Sequence, residues 1–119
     1  MPARHQLEDI ARLVAQHTFG TRALDKADEL LSFRDRGKVA KYLRALIASL
    51  STDDFLRAHD ELYGGKKVEC DDYAKLDRYG LWFIKLDITE GVLAVRSCHE
   101  STEASVILFS GKTLRNPNS

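Results

Sequence analysis

A chain of 119 residues with 44% apolar content can form one hydrophobic core and is too short for two ordinary domains. Its 18 Lys and Arg balance 18 Asp and Glu, which excludes a global electrostatic pull toward nucleic acid or an anionic membrane. Cys70, Cys98 and the scattered histidines His5, His17, His59 and His99 form neither a disulfide framework nor a close-spaced metal motif. Residues 1–50 hold nine cations against six acids, and residues 51–119 hold nine against twelve, so the charge is split along the chain. Met1 to Asp9 is charged, without a signal-type apolar stretch, and no window approaches the length of a membrane span. The expectation is a cytoplasmic protein of a reducing compartment, with no membrane partner, metal or cofactor.

Leu7, Ile10, Leu13 and Val14 fall at helical spacing, predicting a first helix over 7–17 that ends near Phe19-Gly20. A second starts at Thr21 or Asp25 and carries Leu24, Ala27, Leu30 and Leu31. The third shows the clearest stripe, Val39, Leu43, Leu46, Ile47 and Leu50, with Lys38, Lys41 and Arg44 displaced onto a solvated face. Ser51-Thr52-Asp53-Asp54 is a set of cap or turn residues, after which Phe55 to Tyr63 reads equally as a short helix or an edge strand. Gly64 to Lys67 is a turn or loop. Val68 to Leu76 is acidic and reads as a strand near Tyr73 or as an ordered loop.

From Leu81 the period becomes two: Ile84, Leu86 and Ile88 point one way, Phe83, Lys85 and Asp87 the other. Thr89-Glu90-Gly91 turns the chain into a return strand, Val92 to Ser97, completing a hairpin. Val106 to Phe109 is expected to add a further antiparallel strand, and residues 111–119 to form a frayed tail. Helices followed by strands predict a single α+β domain over 1–119, with helices on one face of a twisted, mainly antiparallel sheet. Its other face is left open for binding or catalysis.

Four stretches, Leu7 to Val14, Thr21 to Leu30, Leu46 to Phe55 and Gly80 to Val95, resemble the motility quorum-sensing regulator (MqsR) toxins, which share the RelE-like fold. The likeness covers about residues 7–98. Ala27-Asp28-Glu29-Leu30, followed some twenty residues later by Leu50-Ser51-x-x-Asp54-Phe55, is its most distinctive part. The resemblance implies a type II toxin of a toxin-antitoxin pair: an endoribonuclease that cuts single-stranded mRNA without metal and is restrained by a cognate antitoxin protein. Such cleavage needs a group to take the 2′-hydroxyl proton, a cation on the phosphate and a donor to the departing 5′-oxygen.

The family uses a lysine after its Asp-Phe pair, a glutamine before the sheet, a tyrosine in the first hairpin strand and a lysine after the second. Here Arg57 takes the first position and remains able to clamp phosphate. Phe83 replaces the tyrosine, and Tyr73 is the nearest phenol that could substitute for it. The last lysine corresponds to Cys98 or His99, and the glutamine to Glu69, Cys70 or Asp71. The resemblance therefore assigns catalysis to Arg57 and His99, and RNA binding to Lys85, Arg96 and Tyr73.

Each assignment has a plainer counterpart. Arg57 lies among Asp53, Asp54, Asp60 and Glu61, Lys85 and Arg96 could pair across the hairpin with Asp87, and His99 could be a surface histidine. The Asp and Glu residues between 53 and 72 match no known metal cage, and a thiol next to His99 would point to the opposite face of its strand. Phe83 and the acidic middle segment motivate a second reading, a catalytically degenerate protein-binding module or inhibitor encoded by a mobile element.

Overall fold

The computed structural model describes residues 2–119. Three helices, α1 (Leu7–Val14), α2 (Thr21–Leu31) and α3 (Arg36–Ala48), precede the strands β1 (Phe55–Tyr63), β2 (Lys66–Leu76), β3 (Leu81–Thr89) and β4 (Val92–Glu100). The four strands form one antiparallel sheet in the order β1-β2-β3-β4, and the helices pack on one of its faces. The protein is therefore α+β, as the helices-then-strands pattern predicts.

The helix stripes explain the packing. Ile10 and Val14 of α1, Leu24, Ala27 and Leu31 of α2, and Val39, Leu43, Leu46 and Ile47 of α3 are buried with Tyr73, Trp82, Ile84, Leu86, Leu93 and Cys98 of the sheet. Helix α1 stops at Val14, a turn earlier than its periodicity implies. Asp28 makes the α2–α3 connection by accepting from Phe33 N at 2.6 Å and Arg34 N at 3.0 Å. Asp35 then caps α3 through Lys38 N. Tyr42 of α3 donates to Asp77 at 2.6 Å, and the same Oδ2 accepts from Trp82 Nε1 at 2.8 Å, tying α3 to the β2–β3 connection.

Both tight hairpins turn on two residues with positive φ, Gly64-Gly65 and Glu90-Gly91, the backbone that a twisted two-residue turn requires. Val68 to Leu76, ambiguous in sequence, belongs to the eleven-residue strand β2. Its acids hid this because Asp71 and Asp72 are fully buried. Asp71 lies on the helix side and accepts from Arg4 N at 3.0 Å and His5 N at 2.9 Å, which docks the segment before α1.

Three expectations are corrected. Val106 to Phe109 does not extend the main sheet: β5 (Ser105–Ile107) pairs with β6 (Thr113–Arg115) as a separate ribbon. That ribbon places Leu108 against Leu56, Ala74 and Leu81, so one end of the second sheet face is covered and the rest is open. The tail is docked rather than frayed. Asn116 donates to Glu100 Oε2 at 2.9 Å, and Asn118 Nδ2 reaches Glu100 Oε2 and the Tyr79 carbonyl. Gly80, at φ 151°, makes room for it, because a Cβ there would lie 2.5 Å from Asn118 Nδ2. Tyr73 is not on the open face. Its ring faces the helices, is 1% exposed and packs 5.6 Å from Phe55, because it pairs in register with core Ile84. Burial also pushes its phenol pKa far up, and a ring sealed beneath the helices does not reach the open face.

Candidate functional site

Two β-bulges build the open face. Between Phe55 and Arg57 the register of β1 on β2 slips, so that Phe55 faces the helices opposite Tyr73 while Arg57 stands opposite Asp72 on the other side. Between β3 and β4 the register slips again: Leu86 pairs with Val95 but Lys85 pairs with Ser97, leaving Arg96 as the extra residue. Arg96 lies on the open face, against Asp87 and over the Tyr63 ring. The same insertion sets His99, not Cys98, opposite Phe83. The choice left open in sequence is decided by this bulge, since Cys98 is buried under the helices with its thiol pKa pushed up to about 12. Of Glu69, Cys70 and Asp71, the one on the open face is Cys70, opposite His59.

Arg57 and His99 line a single cleft of about 380 Å³ together with Leu56, Phe83 and residues of the β4–β5 connection. They stand on the two outer strands, which strand spacing places about 14 Å apart. Phe83 lies between, its ring centroid 6.0 Å from the His99 ring. His99 Nδ1 is 2.7 Å from the Glu100 carbonyl oxygen, which can only accept. Nδ1 therefore carries the proton, and in the neutral ring the lone pair sits on Nε2.

Arg57, Lys85 and Arg96 each have a carboxylate. Arg57 Nε is 3.1 Å from Oδ2 of fully buried Asp72, with the guanidinium side chain 60% exposed. Lys85 Nζ is 2.8 Å from Glu61, and the hydrogen bond from Lys85 and a second from Tyr63 hold the Glu61 pKa below the ordinary glutamate range. Arg96 Nε donates to buried Asp87 at 2.6 Å and its guanidinium lies 4.1 Å above the Tyr63 ring. The pairing considered for Lys85 with Asp87 is replaced by Lys85 with Glu61, and Arg96 takes Asp87. As RNA contacts, Lys85 and Arg96 are thus already engaged, whereas Arg57 keeps an exposed outer edge.

His59, which carries no motif in the sequence, also belongs to this face. Its Nε2 donates to Asp72 Oδ1 at 2.9 Å, so one buried carboxylate holds both His59 and Arg57. The i, i+2 spacing of Arg57 and His59 signals a shared face once β1 is known to be a strand, but the helix-or-strand ambiguity of Phe55 to Tyr63 concealed it. Cys70, beside them, is no thiolate nucleophile: burial, then Asp87, pushes its pKa up to about 11. Among the described residues no three His, Cys, Asp or Glu side chains are grouped to hold a metal ion, and no helix is long and apolar enough to cross a membrane. The chain matches no family model, no curated protein and no solved structure.

Proposed function

We propose that the open sheet face is the active surface of an MqsR-like toxin, a metal-independent endoribonuclease acting on single-stranded mRNA and restrained by an antitoxin protein. The observation that carries this reading is the convergence of Arg57 and His99 on one cleft with Phe83 between them. Arg57 offers its exposed guanidinium edge to the scissile phosphate. His99 exchanges a proton through Nε2, and Phe83 offers a ring to a base. The family's tyrosine hydroxyl is lost at Phe83, so proton transfer falls to imidazole.

Incubation of purified protein with single-stranded RNA in chelator, beside Arg57→Ala and His99→Ala, tests the proposal. Cutting by the wild type and its loss in both variants supports it; equal background-level cutting by all three ends it. A second reading, a catalytically degenerate binding module or mobile-element inhibitor, draws on the neutralisation of Lys85 and Arg96 by Glu61 and Asp87. Growth arrest on expression that a co-expressed antitoxin relieves favours the toxin. Normal growth with intact RNA favours the binding module.

A further inference from the structure

The side chains of Arg57, His59 and Asp72 form a unit that the cleft residues alone do not account for. Asp72 is 0% exposed, yet its Oδ2 has no hydrogen-bond donor: Arg57 Nε is close enough for an ion pair but lies off the hydrogen-bond line. Burying a carboxylate is costly unless it is paired and hydrogen-bonded, and here only one of its oxygens accepts a hydrogen bond. Its other oxygen accepts from His59 Nε2, which fixes that ring with the proton on Nε2 and leaves Nδ1 as the basic nitrogen. The His59 side chain is 27% exposed, so the ring is held from below and open from above. A carboxylate that orients an imidazole and stabilises it once protonated is the arrangement of a general base.

We infer that His59 is the proton-accepting catalytic residue of this face and that Asp72 is the positioning residue that holds it beside Arg57. The inference rests on the nuclease reading and names a group which that reading does not assign. Arg57 and His59 project from the same face of β1 two residues apart, about 7 Å along the strand. Both lean onto the same carboxylate. The shared carboxylate thus sets the His59 ring beside Arg57 at the margin of the cleft, whereas His99 approaches from the far strand. In the step this implies, His59 Nδ1 takes the proton of the ribose 2′-hydroxyl, O2′ bonds to phosphorus, and the P–O5′ bond breaks. The departing O5′ takes its proton from water in the cleft, which the His99 imidazolium on the far strand can replenish. The products are a 2′,3′-cyclic phosphate and a 5′-hydroxyl, with no oxidant or co-reactant.

The charged and titratable groups around His59 are Arg57 and Glu61 on its own strand, Cys70 and Asp72 on β2, and Lys85 on β3, which is committed to Glu61. The test compares wild type, His59→Gln, His59→Ala and Asp72→Asn on a single-stranded RNA in chelator, with kcat and KM measured across pH. His59→Gln and His59→Ala are expected to lower kcat by about 100-fold or more with little change in KM. Asp72→Asn removes the anion beside the imidazole, so the acidic limb of its pH profile is expected to move to lower pH, a shift that a purely structural role would not cause. If the wild type cuts and the Arg57 and His99 variants do not, but His59→Gln matches the wild type in rate and pH profile, this inference alone falls. If the wild type does not cut, the nuclease reading falls and takes the inference with it.

Discussion

Arg96→Ala separates a structural cation from a phosphate-binding one. Asp87 is fully buried, and it accepts from Arg96 Nε at 2.6 Å and from Thr89 Oγ1 at 2.8 Å. Deleting one partner of a buried pair costs about 3–5 kcal/mol because the other charge is stranded. Here Thr89 remains, and the Arg96 side chain is 28% exposed, so water can reach the gap and the low end applies. Losing the guanidinium from above Tyr63 adds about 0.5–1 kcal/mol. The expected loss is about 3.5–4 kcal/mol, which for a domain of this size lowers Tm by roughly 15 °C. Chemical and thermal unfolding, followed by the fluorescence of buried Trp82, measures it. Adding Asp87→Asn to Arg96→Ala removes the stranded charge and should restore part of the stability. An Arg96→Ala protein within about 1 kcal/mol of wild type, or a double variant no more stable than the single, would refute the reasoning.

The other expectations concern neighbouring contacts. Lys85→Ala breaks a pair whose Glu61 is 31% exposed, so it should cost about 1 kcal/mol or less by the same unfolding assay. Because Lys85 and then Tyr63 hold the folded Glu61 pKa below its unfolded value, that pair stabilises the fold above the ordinary glutamate pKa of about 4.3 and loses its contribution as pH falls through the depressed one. Glu61→Gln should therefore flatten the acid limb of the stability profile. Asp77→Ala strips the partner from Trp82 Nε1 and Tyr42 OH and should cost about 2–4 kcal/mol with a change in tryptophan emission. For RNA held through Arg57 alone, log affinity should fall against log salt with a slope near −0.7. A slope near −2 would mean that Lys85 and Arg96 also reach phosphates.

What the sequence discloses and what it hides follow from where polar groups are buried. The helices were legible because Val39, Leu43, Leu46 and Ile47 obey one period and all face the core. Strand β3 was legible because Ile84 and Leu86 alternate with Phe83 and Lys85 as a half-buried strand must. Strand β2 was not, because Asp71 and Asp72 read as surface residues until their partners are known, the Arg4 and His5 amides for one, Arg57 and His59 for the other. Those partners lie far away in sequence or across a strand pair, and no local pattern encodes them. The bulge at Arg96 is equally silent: it inserts one residue and so decides that His99 rather than Cys98 reaches the open face.

The neutrality of the chain takes on a local meaning at this face. Asp72 and Asp87 are buried beneath their cations, so Arg57 and Arg96 are oriented by anions that no ligand can displace without unburying them. Adding phosphate to such a cation does not require breaking the existing pair when the guanidinium is engaged through Nε and its outer edge is exposed, which is the situation of Arg57. Lys85 differs, because an ammonium is a point charge and Glu61 already brings an oxygen to within 2.8 Å of it. Arg96 differs as well, since its Nε and Nη2 both face Asp87 and its plane covers Tyr63. Among Arg57, Lys85 and Arg96, Arg57 is thus the one whose geometry leaves a bidentate edge for a second anion, and His59 shares the carboxylate that fixes it.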